Sequence, residues 1–307
     1  MASSIDEAIA PGHAQDTARP GVSLTDLLLL CTSAIWGVNY IVVKYGTEVL
    51  RPLAYNGARV ALAAVVLGAL AVARYRERVA RRDVFALLAL GVLGNCLYQL
   101  FFAEGVARTR AGNAALVLAA VPVFIAGIGR MLGVERVGAR GIGGIVLSMI
   151  GIALVVFGGT GDATQESTLL GNLLVLAGAI CWSLFTVLLK PYTHRVSLPN
   201  ISALTMVGGS VPLALVSAPA IVATDWRAVA PLTWAAIVYS GIGALVLAYL
   251  FWYRGVRALG PTRTAMYSNL QPVIALLVAW AVLREVPTLW QGVGAGTIIA
   301  GVILTRT

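Results

Sequence analysis

Several short clusters of aromatic and amide side chains interrupt otherwise apolar sequence. Asn95, Tyr98, Gln99 and Phe102 stand at i, i+3, i+4 and i+7 and so share one helical face. Trp36, Asn39 and Tyr40 form a second such face, and Trp182 with Thr186 a third. Tyr249 lies between Tyr239 and Tyr253 on a fourth, and Tyr267 and Gln271 are i, i+4 neighbours directly before Pro272. Aromatic faces stack on an organic solute and carboxamides hold its polar ends. Such residues therefore suit a neutral or zwitterionic small molecule with an apolar part. The plainer alternative is hydrogen bonding between helices, worth about 0.6 kcal/mol per contact in a bilayer. Catalytic and metal-binding patterns are not found. There is no GxSxG, HExxH or P-loop spacing. His13 and His194 stand apart, and Cys31, Cys96 and Cys181 each lie in an apolar stretch. No enzyme, cofactor or metal site is expected.

The elements that carry these clusters are membrane spans. The chain has 307 residues, 59% hydrophobic and 11% charged, where a soluble domain carries about 25% charged residues. Apolar blocks of about 20 residues, the length of a spanning helix, fall near 24–44, 53–73, 84–104, 112–132, 139–158, 168–190, 200–222, 232–253, 263–283 and 288–305. The reading is an all-α polytopic membrane protein with ten transmembrane helices. Residues 1–22 are polar, with no basic start followed by an apolar core, and are expected to form a disordered cytoplasmic tail. With the N-terminus inside, the inner segments hold 15 basic residues and the outer ones 6, so both termini are expected in the cytoplasm. The same bias accounts for the net charge of +9 without nucleic acid.

The pattern repeats. Phe101-Phe102-Ala103-Glu104-Gly105-Val106 returns 150 positions later as Phe251-Trp252-Tyr253-Arg254-Gly255-Val256, Pro122 returns as Pro272, and Glu135 as Glu285. Trp36 precedes Lys44 by eight positions, as Trp182 precedes Lys190. Gly144 matches Gly294, and Gly151 matches Gly301. Five spans per copy is an odd number, so the copies should be inverted. The expected units are residues 23–158 and 168–307, joined by an extracytoplasmic linker at 159–167.

These residues resemble the drug/metabolite transporter superfamily, in particular its ten-helix EamA-like exporters. The resemblance rests on the mid-span proline and terminal glutamate present twice, with the Trp36 region opening the chain. Within that group the chain looks most similar to bacterial exporters of amino acids, including aromatic ones. The resemblance implies alternating access in the bacterial inner membrane. The implied partners are a small-molecule substrate and the lipid bilayer. No mid-span carboxylate is evident, so proton coupling and facilitated diffusion both stay open. A broad-specificity drug/metabolite exporter is the second transport reading, and a non-transporting membrane scaffold is the reading from another class.

The residues expected to contact substrate are Trp36, Asn39, Tyr40, Asn95, Tyr98, Gln99, Trp182, Tyr249, Tyr267 and Gln271. Pro122 and Pro272 leave the carbonyls of Leu118 and Ser268 without their usual donors. They are read as kinks, with a hinge role as a separate expectation. Glu135 and Glu285 read as structural residues beside Arg136 and Arg284, and Asn113 as a helix cap. Arg59 has two readings, snorkelling outward or offering charge to a substrate carboxylate. The glycine sets Gly141/Gly143/Gly144 and Gly292/Gly294/Gly296 permit close helix packing.

Overall fold

The computed structural model describes residues 23–74, 78–134, 139–158, 169–284 and 288–306, and every regular element among them is helical. The 1–22 tail, the 159–167 linker, Glu135 and Glu285 lie outside the described residues. In chain order the helices are α1 (Leu24–Val49), α2 (Pro52–Arg74), α3 (Arg81–Arg108), α4 (Ala111–Met131), α5 (Ala139–Gly158), α6 (Leu169–Thr193), α7 (Leu198–Val222), α8 (Pro231–Leu259), α9 (Pro261–Leu283) and α10 (Leu289–Arg306). Eight of them, α1–α4 and α6–α9, are long and apolar enough to cross a membrane. Their starts follow local chemistry. Ser23 caps α1 in a reciprocal box with Asp26. Pro52, Pro231 and Pro261 open α2, α8 and α9, where a missing N–H costs nothing.

Helices α5 and α10 pack along one another, and their contacts are reciprocal. A Cβ on Gly151 would meet Ile298 and the Gly294 carbonyl. A Cβ on Gly301 would meet Ser148 and the Gly144 carbonyl. Each contact is the other moved by the sequence repeat, which is what a two-fold relation demands. Rising numbers in α5 meet falling numbers in α10, so the pair is antiparallel and the two-fold lies across the helices. Small residues let these backbones approach, since van der Waals packing rather than hydrophobicity holds helices together in lipid.

The same relation governs the helices that surround the centre. A Cβ on Gly91 in α3 would lie 2.1 Å from the carbonyl oxygen of Thr205 in α7. At the equivalent Gly241 in α8, it would lie 3.0 Å from the carbonyl oxygen of Arg59 in α2. Thr205 and Arg59 thus occupy matching places. Backbone cannot swing aside as a side chain can. Gly91→Ala should therefore destabilise the protein by about 2–3 kcal/mol, whereas Gly241→Ala should cost less than about 1 kcal/mol. Thermal unfolding of the two purified variants checks this, and equal losses would contradict the contact.

Four helices depart from regular α geometry. Within α3, Val92–Leu97 forms a π-helical segment, and within α8, Tyr239–Leu247 does so at the repeat-equivalent place. α4 is interrupted at Ala119–Ala120, and Pro122 stands near the start of its second segment, Val121–Met131. In α9, Tyr267–Leu270 is 3₁₀-helical, and Pro272 stands near the start of Gln271–Val278. The prolines expected as kinks therefore open new helical segments, the position where their lack of an N–H is tolerated. A third π segment, Ala279–Leu283, closes α9.

Candidate functional site

The π segment of α8, the 3₁₀ turn of α9, both sides of the break in α4 and the regular turns of α3 that follow its π segment line a cavity of about 40 Å³ at the centre of the bundle, with α1, α2 and α6 completing the wall. Eight of the ten residues expected to contact substrate line it: Trp36, Asn39, Tyr40, Tyr98, Gln99, Trp182, Tyr249 and Gln271. Leu118 and Ser268, the residues whose carbonyls the prolines leave, line it as well. The Ser268 carbonyl has a new donor, because the 3₁₀ turn directs the Gln271 N–H onto it.

Residues at equivalent places in the two halves of the chain meet here. The Gln99 Nε2 donates to the Tyr249 hydroxyl at 2.9 Å, and these two residues are 150 positions apart. Trp36 and Trp182 pack edge to face with centroids 5.7 Å apart. Trp182 also touches the rings of Tyr98, Phe185, Tyr249 and Trp252. The Trp36 indole N–H is fixed by the Ala244 carbonyl at 2.9 Å, within the π segment of α8. Tyr40 donates its hydroxyl proton to Gln271 Oε1 at 3.0 Å. The wall is thus an aromatic box with carboxamides held in set orientations.

Arg59 is where sequence reasoning fell short. It is 0% exposed, so the outward snorkel does not occur. Its Nε donates to Asn56 Oδ1 at 2.9 Å, one Nη to Ser240 Oγ at 3.0 Å, and the other to Gln99 Oε1 at 2.6 Å. Ser240 in turn donates to Asn39 Oδ1 at 2.7 Å. The Phe102 ring lies 5.6 Å from the guanidinium carbon. Asn56 and Ser240 carried no periodic signal of their own. Of the two readings of Arg59, the structure keeps the inward one, since Arg59 is a cavity-lining charge. A signal was available in the spacing: Asn56 and Arg59 are i, i+3 neighbours and so share a face.

Two expected residues stand elsewhere. Asn95 lies in the π segment of α3, whose wider turn breaks the i, i+4 register with Gln99. It is fully buried against Gly209 of α7, where a Cβ would come within 2.4 Å of the Asn95 Cβ. Tyr267 points toward one end of the bundle. Its hydroxyl donates to Asp26 Oδ1, and its carbonyl accepts from Ser33 Oγ at 2.6 Å. With Asp26, Leu259, Arg263 and Met266 it lines a second, open cavity of about 420 Å³.

An all-helical bundle of membrane-length helices enclosing a polar-aromatic cavity defines a multi-span membrane transporter. The sequence matches the EamA-like transporter family twice, over residues 23–157 and 169–307, and the chain belongs to that family. It is 30% identical over 293 residues to an uncharacterized transporter of Archaeoglobus fulgidus, covering 92% of this chain and 97% of that one. It is 26% identical to the uncharacterized transporter YyaM of Bacillus subtilis, covering 90% of this chain and 92% of the relative. A probable terminal-alkyne amino-acid exporter of Streptantibioticus cattleyicolor is 28% identical, covering 90% and 91% of the two chains. A solved crystal structure shares the fold, with a TM-score of 0.68 at 19% identity over 93% of this chain and 99% of that one.

Proposed function

We propose that the protein is a secondary transporter that exports amino acids, neutral and aromatic ones foremost, and related metabolites across the bacterial inner membrane. The working unit is ten spans in two inverted five-helix repeats, with both termini cytoplasmic. The central cavity opens to one face and then the other as the repeats rock. The observation that carries the reading is the cavity itself. It lies where Trp36 meets Trp182 and Gln99 meets Tyr249, so its walls come from both repeats. A change in how the repeats sit would open those walls. Aromatic faces would hold an aromatic or apolar side chain. The name of the Streptantibioticus cattleyicolor relative supports an amino acid as cargo. Pro122 and Pro272, each opening a fresh helical segment beside the cavity, suit hinges in α4 and α9.

The test is flux in proteoliposomes of the purified chain, with a labelled amino acid panel, with and without a pH gradient. Flux of phenylalanine or other neutral amino acids is expected. Flux of drug-like solutes alone would replace the amino acid reading with that of a broad exporter, and no flux of either class would favour a scaffold. Dependence on the gradient separates proton coupling from facilitated diffusion.

A further inference from the structure

We propose that Arg59 is the specificity-determining residue of the cavity, and that it takes the single carboxylate of the cargo's headgroup. This deepens the proposed amino acid export and rests on it.

A guanidinium removed from water loses several kcal/mol of hydration and is ordinarily repaid by a carboxylate. Arg59 has no such partner among the described residues. Its three bonds go to a carboxamide oxygen of Asn56, a carboxamide oxygen of Gln99 and the hydroxyl of Ser240, all neutral. Guanidinium carries five N–H donors, so two remain, one on each terminal nitrogen. Those two N–H groups are free to donate to the oxygens of a carboxylate. The neighbours hold the guanidinium in place. Gln99 is itself fixed by Tyr249, and Ser240 by Asn39.

The rest of the lining agrees. No Asp or Glu and no second Lys or Arg is among the described lining residues. One positive charge is matched by one negative charge, which favours a carboxylate over a doubly charged phosphate ester. The polar groups still free are mainly donors. Because Ser240 donates to its oxygen, the Asn39 amide N–H₂ is left over. The Trp182 indole N–H has no hydrogen-bond partner among the described residues. A cavity rich in donors calls for a ligand rich in acceptors. The two-fold sharpens the point: the matching place in the other half of the chain holds Thr205, so the charge is present once and gives the cavity one polar end. The cargo's carboxylate lies at the Arg59 end, and its side chain lies toward Trp36 and Trp182.

The experiment compares ligands that differ only at the headgroup. Thermal shift and flux are measured on the full chain with L-phenylalanine, L-phenylalaninamide and phenethylamine. The acid should stabilise the wild type at concentrations at least tenfold below either analogue that lacks a carboxylate. In Arg59→Gln the three should act within threefold of one another, and Arg59→Lys should keep part of the preference. A purely structural Arg59 predicts a lower Tm in Arg59→Gln with the ligand order unchanged, which overturns the proposal. If Arg59→Gln does not fold, the wild-type series and Arg59→Lys still decide. Equal action of acid and amide on the wild type overturns the role of Arg59 while leaving amino-acid-like transport standing. No shift and no flux with any of the three removes the aromatic amino acid reading and this proposal with it.

Discussion

Replacing Gln99 with glutamate will make the protein more stable and less active at once. Gln99 Oε1 already lies 2.6 Å from an Arg59 terminal nitrogen, so the isosteric carboxylate needs no rearrangement to form an ion pair. Leaving a buried charge unpaired costs about 3–5 kcal/mol where this has been measured by removing a partner. The native protein bears a charge of that kind. The new carboxylate must shed its own hydration, which offsets part of the gain, and a net stabilisation of about 1–2 kcal/mol is expected. The bond to Tyr249 survives, because a hydroxyl that accepts from an amide can rotate to donate to a carboxylate. The cavity is then neutral, and flux of L-phenylalanine should fall at least tenfold. Differential scanning of the purified variant together with proteoliposome flux checks both halves. A variant that is less stable, or as active as the wild type, would contradict the view of Arg59 as a charge awaiting its counter-ion.

Replacing Trp182 with alanine should damage both packing and transport. The indole touches Trp36, Tyr98, Phe185, Tyr249 and Trp252, so its loss removes one ring contact from each of five aromatic neighbours. In water-soluble cores such a truncation costs about 3–5 kcal/mol. Lipid is as apolar as the core, so the transfer part of that figure falls away and the packing part remains. The expected loss is therefore near the lower end, about 3 kcal/mol. Flux should fall at least tenfold, and Trp182→Phe should recover more of it than Trp182→Leu by keeping an aromatic face. Equal rescue by leucine and phenylalanine would mean that bulk, not stacking, is what the cavity needs.

Much of this arrangement was legible in the sequence because it follows from periodicity. Apolar blocks gave the helices to within a few residues. The 150-residue repeat made Gln99 and Tyr249 counterparts, and the two hydrogen-bond to each other. Asn95 and Tyr267 were misplaced for one reason, which is that period 3.6 holds only where the helix is α. The π segment at Val92–Leu97 and the 3₁₀ turn at Tyr267–Leu270 each shift the register locally, and neither has a sequence mark as plain as proline. Arg59 was left with two readings because position alone could not choose between them. A lone arginine in an apolar span faces lipid or protein, and only its neighbours decide which. Those neighbours, Asn56, Gln99 and Ser240, come from three helices. Glu135 and Glu285, prominent in the repeat, lie outside the described residues.

Alternating access requires the central cavity to open to each membrane face in turn. It is tested most directly by placing one cysteine at Ser268, a lining residue that is 5% exposed, after replacing Cys31, Cys96 and Cys181. A membrane-impermeant thiol reagent is then applied from either side of a sealed vesicle, with and without saturating L-phenylalanine. The account predicts modification from both sides at rates that the ligand lowers at least tenfold. Modification from one side only, or rates that no ligand changes, would contradict it.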